Sequence, residues 1–233
     1  MKVLITAPLR QDVEVFNAYQ DALDNLIIPD GVEVHRFFVV NDDEKVIPFI
    51  RGSYEVMNTG DLYQKTSNDH LWTHDNLTKM HALRNRTVKK MLDGGFDYWF
   101  SVDTDVILHP MTLKTLIEAD KDIVSEIFWT KHWCNAWLCD QASGMLSKWK
   151  EPGLYEVGMT GACTLVKRKV FEAGADYTPI PCIQKVLWGE DRHFCIRATC
   201  LGFSLWVDTH YPAEHLFTPD QFKEWKERHD AIN

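Results

Sequence analysis

Two acidic pairs stand out among the 233 residues. Asp103 and Asp105 follow the apolar run FDYWFSV with one residue between them, and Glu190 and Asp191 follow Trp188-Gly189. Carboxylates one residue apart share a face in extended backbone, so both can reach one cation. Hard divalent ions such as Mg²⁺ or Mn²⁺ take carboxylate oxygens and keep open positions that bridge to diphosphate oxygens. An Asp-x-Asp alone is weak evidence, because such pairs are common in solvated turns and at helix caps. Its place at the mouth of an apolar strand, directly before residues 106–108, is where an open α/β sheet puts its ligand.

Glu190 and Asp191 open a helix-like segment, and capping with dipole compensation, worth at most about 1 kcal/mol, accounts for them as a structural pair. Asp191 can do more: a carboxylate near a bound diphosphate and an apolar wall can act as general base toward an alcohol. His215 comes seven residues after Asp208 and matters only by its position beyond the last strand. Arg84 lies on an otherwise apolar helical stripe with Asn85 beside it, so it either snorkels or points at an anion, and the second reading is slightly favoured. Trp129, Trp133 and Trp137 recur every four residues, with Trp149 and Trp188 further on. Trp129 reads as core packing, whereas Trp133 and Trp188 are candidate platforms for a sugar ring.

The elements that must position these groups alternate between apolar runs and helix-period segments, which argues for a mostly parallel sheet with helices on both faces. Strands are expected at 2–7, 32–40, 96–102, 122–129, 163–166 and 203–207. Helices are expected from about Asp12, from Asn76 to Gly94-Gly95, from 167 to 172, from 189 to 201 and from Pro219 onward, the last anchored by Phe222 and Trp225. The polar stretch 41–75 is too long for an ordinary connection and is left open. No repeat, low-complexity tract or Pro/Ser linker divides the chain, so one domain is expected.

The composition is that of a soluble globular protein, with 45% hydrophobic and 25% charged residues. Twenty-five Lys and Arg against 34 Asp and Glu give a formal charge of -9. A long-range field that gathers nucleic acid or an anionic membrane is therefore not expected, and an anionic ligand needs a local device. No run approaches the length of a membrane span, although peripheral membrane contact stays open. The chain starts directly in the strand-like KVLITA, and six cysteines lie without a CxxC pair. The cytoplasm is the simplest expectation, with the thiols free and most of them buried.

The order of the pieces resembles the GT-A-type nucleotide-sugar-dependent glycosyltransferases, of the inverting, Asp-x-Asp-containing kind. The matching text is KVLITAPLR, ALRNRTVKKML, DYWFSVDTDVIL, MTGACTLVKRKVFEAG and WGEDRHFCIRATCLGFSLWVDTHYPAEHL. No one motif is specific, but five in order are strong together. The resemblance covers nearly the whole chain and is weakest over 41–75.

It implies a Rossmann-like mixed sheet, with a nucleotide-binding part at about 1–105, an acceptor-binding part at about 106–218 and a C-terminal helix at about 219–233. It further implies Mn²⁺ or Mg²⁺ on Asp105 directly, with Asp103 contributing through the metal shell or the ribose and His215 completing the site. His210 competes for that last role, and the spacing from Asp208 favours His215. Asp191 would be the base of an inverting transfer and Glu190 a hydrogen-bonding partner of the sugar. Ala7, Pro8 and Arg10 would line the nucleotide pocket with Thr104, and Asn41 or Asp42 would reach the nucleoside. Arg84 and Asn85 would approach the diphosphate or ribose, and Gly161 would let the backbone come close. The donor would be UDP- or GDP-linked and the acceptor a glycan or other hydroxyl compound.

A nucleotidyltransferase shares the sheet and the metal carboxylates but normally carries a glycine-rich phosphate loop, and Ala7-Pro8-Leu9-Arg10 has no glycine. A silent sugar-nucleotide or glycan-binding module and a phosphohydrolase are the other readings.

Overall fold

The computed structural model describes residues 1–58, 74–130, 134–137, 151–181 and 189–230, with the side chains of 74–77 and 230 excepted. Trp133, Trp149, Trp188, Cys139 and Cys182 lie outside the described residues.

The chain begins β1 (Lys2–Leu9), α1 (Val13–Asp24) and β2 (Glu33–Val40). Asp12 caps α1, its carboxylate accepting a hydrogen bond from the Glu14 amide. The stretch left open holds a 3-10 turn at Glu44–Phe49 and a short β3 (Ser53–Val56). Then come α2 (His74–Asp93), β4 (Tyr98–Ser101), β5 (Val106–Ile107), α3 (Thr112–Glu118) and β6 (Ile123–Phe128). Gly95 follows α2 at φ +66°, the left-handed stop that the Gly-Gly pair announces. Short strands β7 (Ala136–Trp137), β8 (Leu154–Val157) and β9 (Met159–Thr160) lead to β10 (Thr164–Lys167), α4 (Arg168–Glu172), α5 (Glu190–Cys200), β11 (Leu205–His215) and α6 (Pro219–Asp230).

Among the described residues, nine strands form one sheet in the order β3-β2-β1-β4-β10-β6-β11-β5, with β8 also on β11. β1 to β4 are mutually parallel, β6 and β11 share their direction, and β10 runs antiparallel between β4 and β6. β7 and β9 pair apart from it. The mostly parallel mixed sheet with helices on both faces is thus the architecture present.

Alternation along β1 explains the two layers. Val3, Ile5, Ala7 and Leu9 join Phe16, Tyr19 and Leu23 of α1 on one face. Leu4 turns the other way, into a core with Leu83 and Met91 of α2 and Phe194 and Ala198 of α5. Phe222 and Trp225 anchor α6 against the first core.

Three expectations need correction. Trp129, expected to pack in the core, is 36% exposed just past the end of β6. The last strand runs to His215 instead of ending at Val207, because a register shift between Asp208 and Ala213 and Pro212 within it interrupt the apolar alternation. His215 therefore closes β11 instead of lying past a strand. Leu201, expected in register with the buried face of α5, is 43% exposed at the helix end. Among the described cysteines, Cys134, Cys163 and Cys195 are buried and Cys200 is exposed, all free thiols. No described helix is long and apolar enough to cross a membrane.

Candidate active site

Parallel strands deliver their carboxyl ends to one edge of the sheet, and there β4 ends in the first acidic pair. The backbone does not stay extended past Ser101, as a shared-face argument requires. Val106 donates to the Asp103 carbonyl at 2.9 Å, closing a tight turn that sends the two aspartates to different partners.

Asp105 meets His215. β5 and β11 pair with His215 opposite Val106, and the Leu216 amide donates to the Asp105 carbonyl at 2.7 Å. This register leaves His215 Nε2 3.5 Å from Asp105 Oδ2, with the imidazole only 5% exposed. Phe128 and Phe217 stack on the ring at 5.3 and 5.8 Å and fix its plane.

Asp103 is turned instead to Arg84, whose Nη2 donates to its Oδ1 at 2.7 Å. Arg84 is 1% exposed, so the anion at which it points is the protein's own. Its Nη1 donates to Ser101 Oγ at 2.6 Å and its Nε to Glu190 Oε1 at 3.3 Å. Burial alone would lower the guanidinium pKa, but Asp103, Glu190 and Asp191 hold it well above its usual value.

α5 is entered through Gly189, which sits at φ +108°, a backbone region that a β-carbon strains. That entry places Glu190 inward on Arg84 and Asp191 toward Gly161. A β-carbon added at Gly161 would lie 3.5 Å from Asp191 Oδ2, an ordinary contact, so the spot is close without demanding glycine. Asn135, buried, frames this wall: its side chain donates to the Glu126 and Ala162 carbonyls, and its own carbonyl accepts from the Gly161 amide at 2.7 Å. Burial raises the Glu190 pKa, helped by the Asp103 charge and opposed by Arg84. Burial and then the neighbouring Glu190 charge hold Asp191 well above the usual carboxylate range, against the pull of Arg84. A carboxylate so placed takes up a proton readily.

A cleft of about 140 Å³ opens on the same edge, lined by Pro8, Arg10, Asn41, Asp103, Thr104 and Asp105 together with Leu9, Gln11, Met80, Leu83 and Phe217. The structure thus brings five of the ten residues expected around the nucleotide sugar, Pro8, Arg10, Asn41, Asp103 and Thr104, to one cleft. Ala7 is apart from them, fully buried in the core opposite Phe38. Asp42 follows β2 at φ +51° and is not in the cleft wall. Asn85 is turned away, its amide group accepting from the Tyr177 amide and donating to Thr178 Oγ1. His210 holds Asp208, with Nδ1 2.9 Å from Oδ2, and not Asp105. Ser101, Asn135, Leu83 and Phe217 were not singled out from the sequence. Only Phe217, two residues beyond His215, carried a positional signal.

For a divalent cation the donor set is a carboxylate and an imidazole, Asp105 and His215. Among the described residues no three His, Cys, Asp or Glu side chains converge into a closed cage. Two protein ligands with open positions suit Mg²⁺ or Mn²⁺, which are commonly held by one or two carboxylates plus substrate phosphates. Asp103, as placed, is the partner of Arg84 and not a third member of that pair.

Neither a scan against protein-family models nor a search of the curated proteins finds a match. Solved structures do match. A mannosyltransferase from Pyrobaculum calidifontis, PcManGT, solved with GDP-Man and Mn²⁺, is 11% identical with a TM-score of 0.57, over 97% of this chain and 60% of its own. S. aureus TarS 1-349 is 13% identical with a TM-score of 0.54, over 96% of this chain and 63% of its own, and it is also solved with UDP and with UDP-GlcNAc. This chain spans less than two thirds of either. A CMP:2-keto-3-deoxy-manno-octonic acid synthetase complexed with CTP is 12% identical with a TM-score of 0.55, over the whole of both chains. The α/β fold described above is that of the GT-A glycosyltransferases, and a nucleotidyltransferase shares it.

Proposed function

We propose that the protein is a metal-dependent glycosyltransferase that moves a sugar from a nucleoside-diphosphate sugar to an acceptor hydroxyl with inversion at the anomeric carbon. The observation that carries this reading is the division of acids at one sheet edge. Asp105 with His215 lies on the cleft side, and Glu190 with Asp191 lies on the far side of the Arg84 guanidinium.

Asp105 and His215 would hold the ion, and a bound Mn²⁺ or Mg²⁺ supplies charge neutralisation to the departing diphosphate. The protein's own groups do the rest. Asp191 takes the proton of the acceptor hydroxyl as that oxygen bonds to the anomeric carbon. The glycosidic bond to the phosphate oxygen breaks on the opposite face, and its electron pair leaves with the nucleoside diphosphate. Arg84 holds Glu190 and Asp103 in place and compensates their charge, so that the proton acceptor is Asp191.

Nucleotidyl transfer is the second reading, favoured by the end-to-end match with the CTP-bound synthetase. Two features weigh against it. β1 stays paired with β2 through Leu9 without a glycine-rich loop, and the start of α1 is occupied by the Asp12 carboxylate, with Glu14 behind it, where a phosphate cradle needs free amides.

A thermal-shift panel of UDP, GDP, CDP and their sugar conjugates, with Mn²⁺ or EDTA, on the wild type and Asp105→Ala tests the proposal. A shift that needs both Mn²⁺ and Asp105, followed by transfer products of inverted anomeric configuration, is the expected result. Binding of CTP with release of pyrophosphate would support the second reading instead.

A further inference from the structure

A protein with a formal charge of -9 repels anions at long range, so a cation that has no acidic partner among the described residues and follows the candidate base in sequence is informative. Arg36, Arg51, Arg84, Arg86, Arg168, Arg197 and Arg228 each form an ion pair with an Asp or Glu. Arg192 forms none among the described residues: its guanidinium carbon lies 5.4 Å from the Trp137 ring centroid, and the buried Cys195 thiol is its other electrostatic neighbour. The side chain is half-buried, and that burial lowers its pKa somewhat below the usual guanidinium range while leaving it charged at neutral pH.

Its position gives the cation a purpose. Arg192 is the next residue after Asp191 in the first turn of α5. Trp137 pairs with Met159 in the two-stranded β7-β9 unit, and that unit runs directly into Gly161, whose α-carbon faces the Asp191 carboxylate. A planar five-donor fork resting on the indole of a strand unit that leads to the wall facing Asp191 offers a stacking face for a sugar ring and a bidentate contact for an anionic group on it.

We propose that Arg192 and Trp137 form an acceptor subsite that selects a hydroxyl carried on an anionic sugar, bearing a phosphate monoester or a carboxylate. The use made of that ligand rests on the glycosyl-transfer reading, whereas the binding does not.

Calorimetric titration of the wild type with glucose 6-phosphate, glucuronic acid and glucose, in the presence of Mn²⁺ with UDP or GDP to fill the donor cleft, tests the subsite. Saturable binding of either anionic sugar, with glucose at least about tenfold weaker, is expected. The stronger of the two identifies phosphate or carboxylate as the recognised group. Arg192→Gln should abolish the preference while leaving the melting temperature unchanged, and Arg192→Lys should retain part of it, since Lys keeps the charge but loses the fork. Equal binding of glucose and glucose 6-phosphate by the wild type overturns the proposal without need of a variant, as does an unchanged preference in Arg192→Gln. If a donor is turned over but anionic and neutral sugars accept equally well, the subsite fails and glycosyl transfer stands. If glucose 6-phosphate binds through Arg192 but no nucleotide sugar is turned over, the subsite stands and glycosyl transfer fails.

Discussion

Arg84 Nε lies 3.3 Å from Glu190 Oε1 across 106 residues of sequence, and the same guanidinium holds Asp103 at 2.7 Å. α2 and α5 thus meet through one buried cation shared by an acid at the end of β4 and an acid at the start of α5. The two halves of the candidate site are joined electrically as well as by packing, and a change in either acid alters the charge seen by the other.

Arg84→Met should therefore be strongly destabilising. Removing one partner of a buried ion pair leaves an uncompensated charge, a loss of about 3 to 5 kcal/mol. Glu190→Gln keeps a hydrogen-bonding group on Arg84 and should cost less. The double variant should be more stable than the sum of the two single changes, by roughly 0.5 to 3 kcal/mol, as expected for residues in one network. Urea unfolding of the four proteins measures this, and strict additivity would show that the contact carries no energy.

Asp191→Asn should lower transfer by about 10² to 10⁴-fold, the usual contribution of a positioned base, and leave nucleotide-sugar binding intact. The amide has nearly the shape of the carboxyl and stays clear of the Arg84 hydrogen bonds, so the melting temperature should change little. Transfer rates on a donor that stabilises the protein, compared with the thermal shift produced by that donor, separate the two effects. Full activity in Asp191→Asn would assign the base elsewhere.

The sequence was readable where periodicity and punctuation agree. Val3, Leu4 and Ile5 alternate between two cores, and Gly94-Gly95 ends α2 where the apolar stripe ends. Asp191 was singled out because it opens an expected helix, and His215 only for its place beyond the last expected strand and through the family resemblance. What the sequence hid is what long-range pairing makes. The turn that separates Asp103 from Asp105 exists because Val106 and Ile107 are drawn into pairing with Glu214 and His215, more than a hundred residues later. Local pattern carries no trace of that pairing. Arg84 was recognised as a cation on an apolar stripe, but its counter-ions come from β4 and α5, and neither can be read from α2.

His215 and His210 give a paired test of the metal site, since only the first adjoins Asp105. His215→Ala should abolish the Mn²⁺-dependent part of any nucleotide-sugar thermal shift, and His210→Ala should preserve it. The comparison needs the unliganded melting temperature of each, because His215 also packs between Phe128 and Phe217, whereas the His210 side chain is 43% exposed. Equal loss in both variants, or retention in His215→Ala, would remove His215 from the ligand set.

Glu126 offers a pH test independent of any ligand. It is wholly buried on β6 opposite Asp208 of β11, and its Oε2 has no hydrogen-bond partner. Burial first, and then the Asp208 charge, push its pKa from an ordinary 4.5 up to about 9. Between those values the folded state holds a proton that the unfolded chain has released. Its contribution is therefore full below pH 4.5 and is lost as pH rises through about 9, with a slope of up to about 1.4 kcal/mol per pH unit. Glu126→Gln has no proton to lose, so its stability relative to the wild type should climb across that window, and the variant should be the more stable protein at the alkaline end. Urea midpoints of both proteins at the two ends of the window measure the difference. If the gap between them does not change with pH, Glu126 titrates as an ordinary carboxylate and the buried neutral acid is wrong.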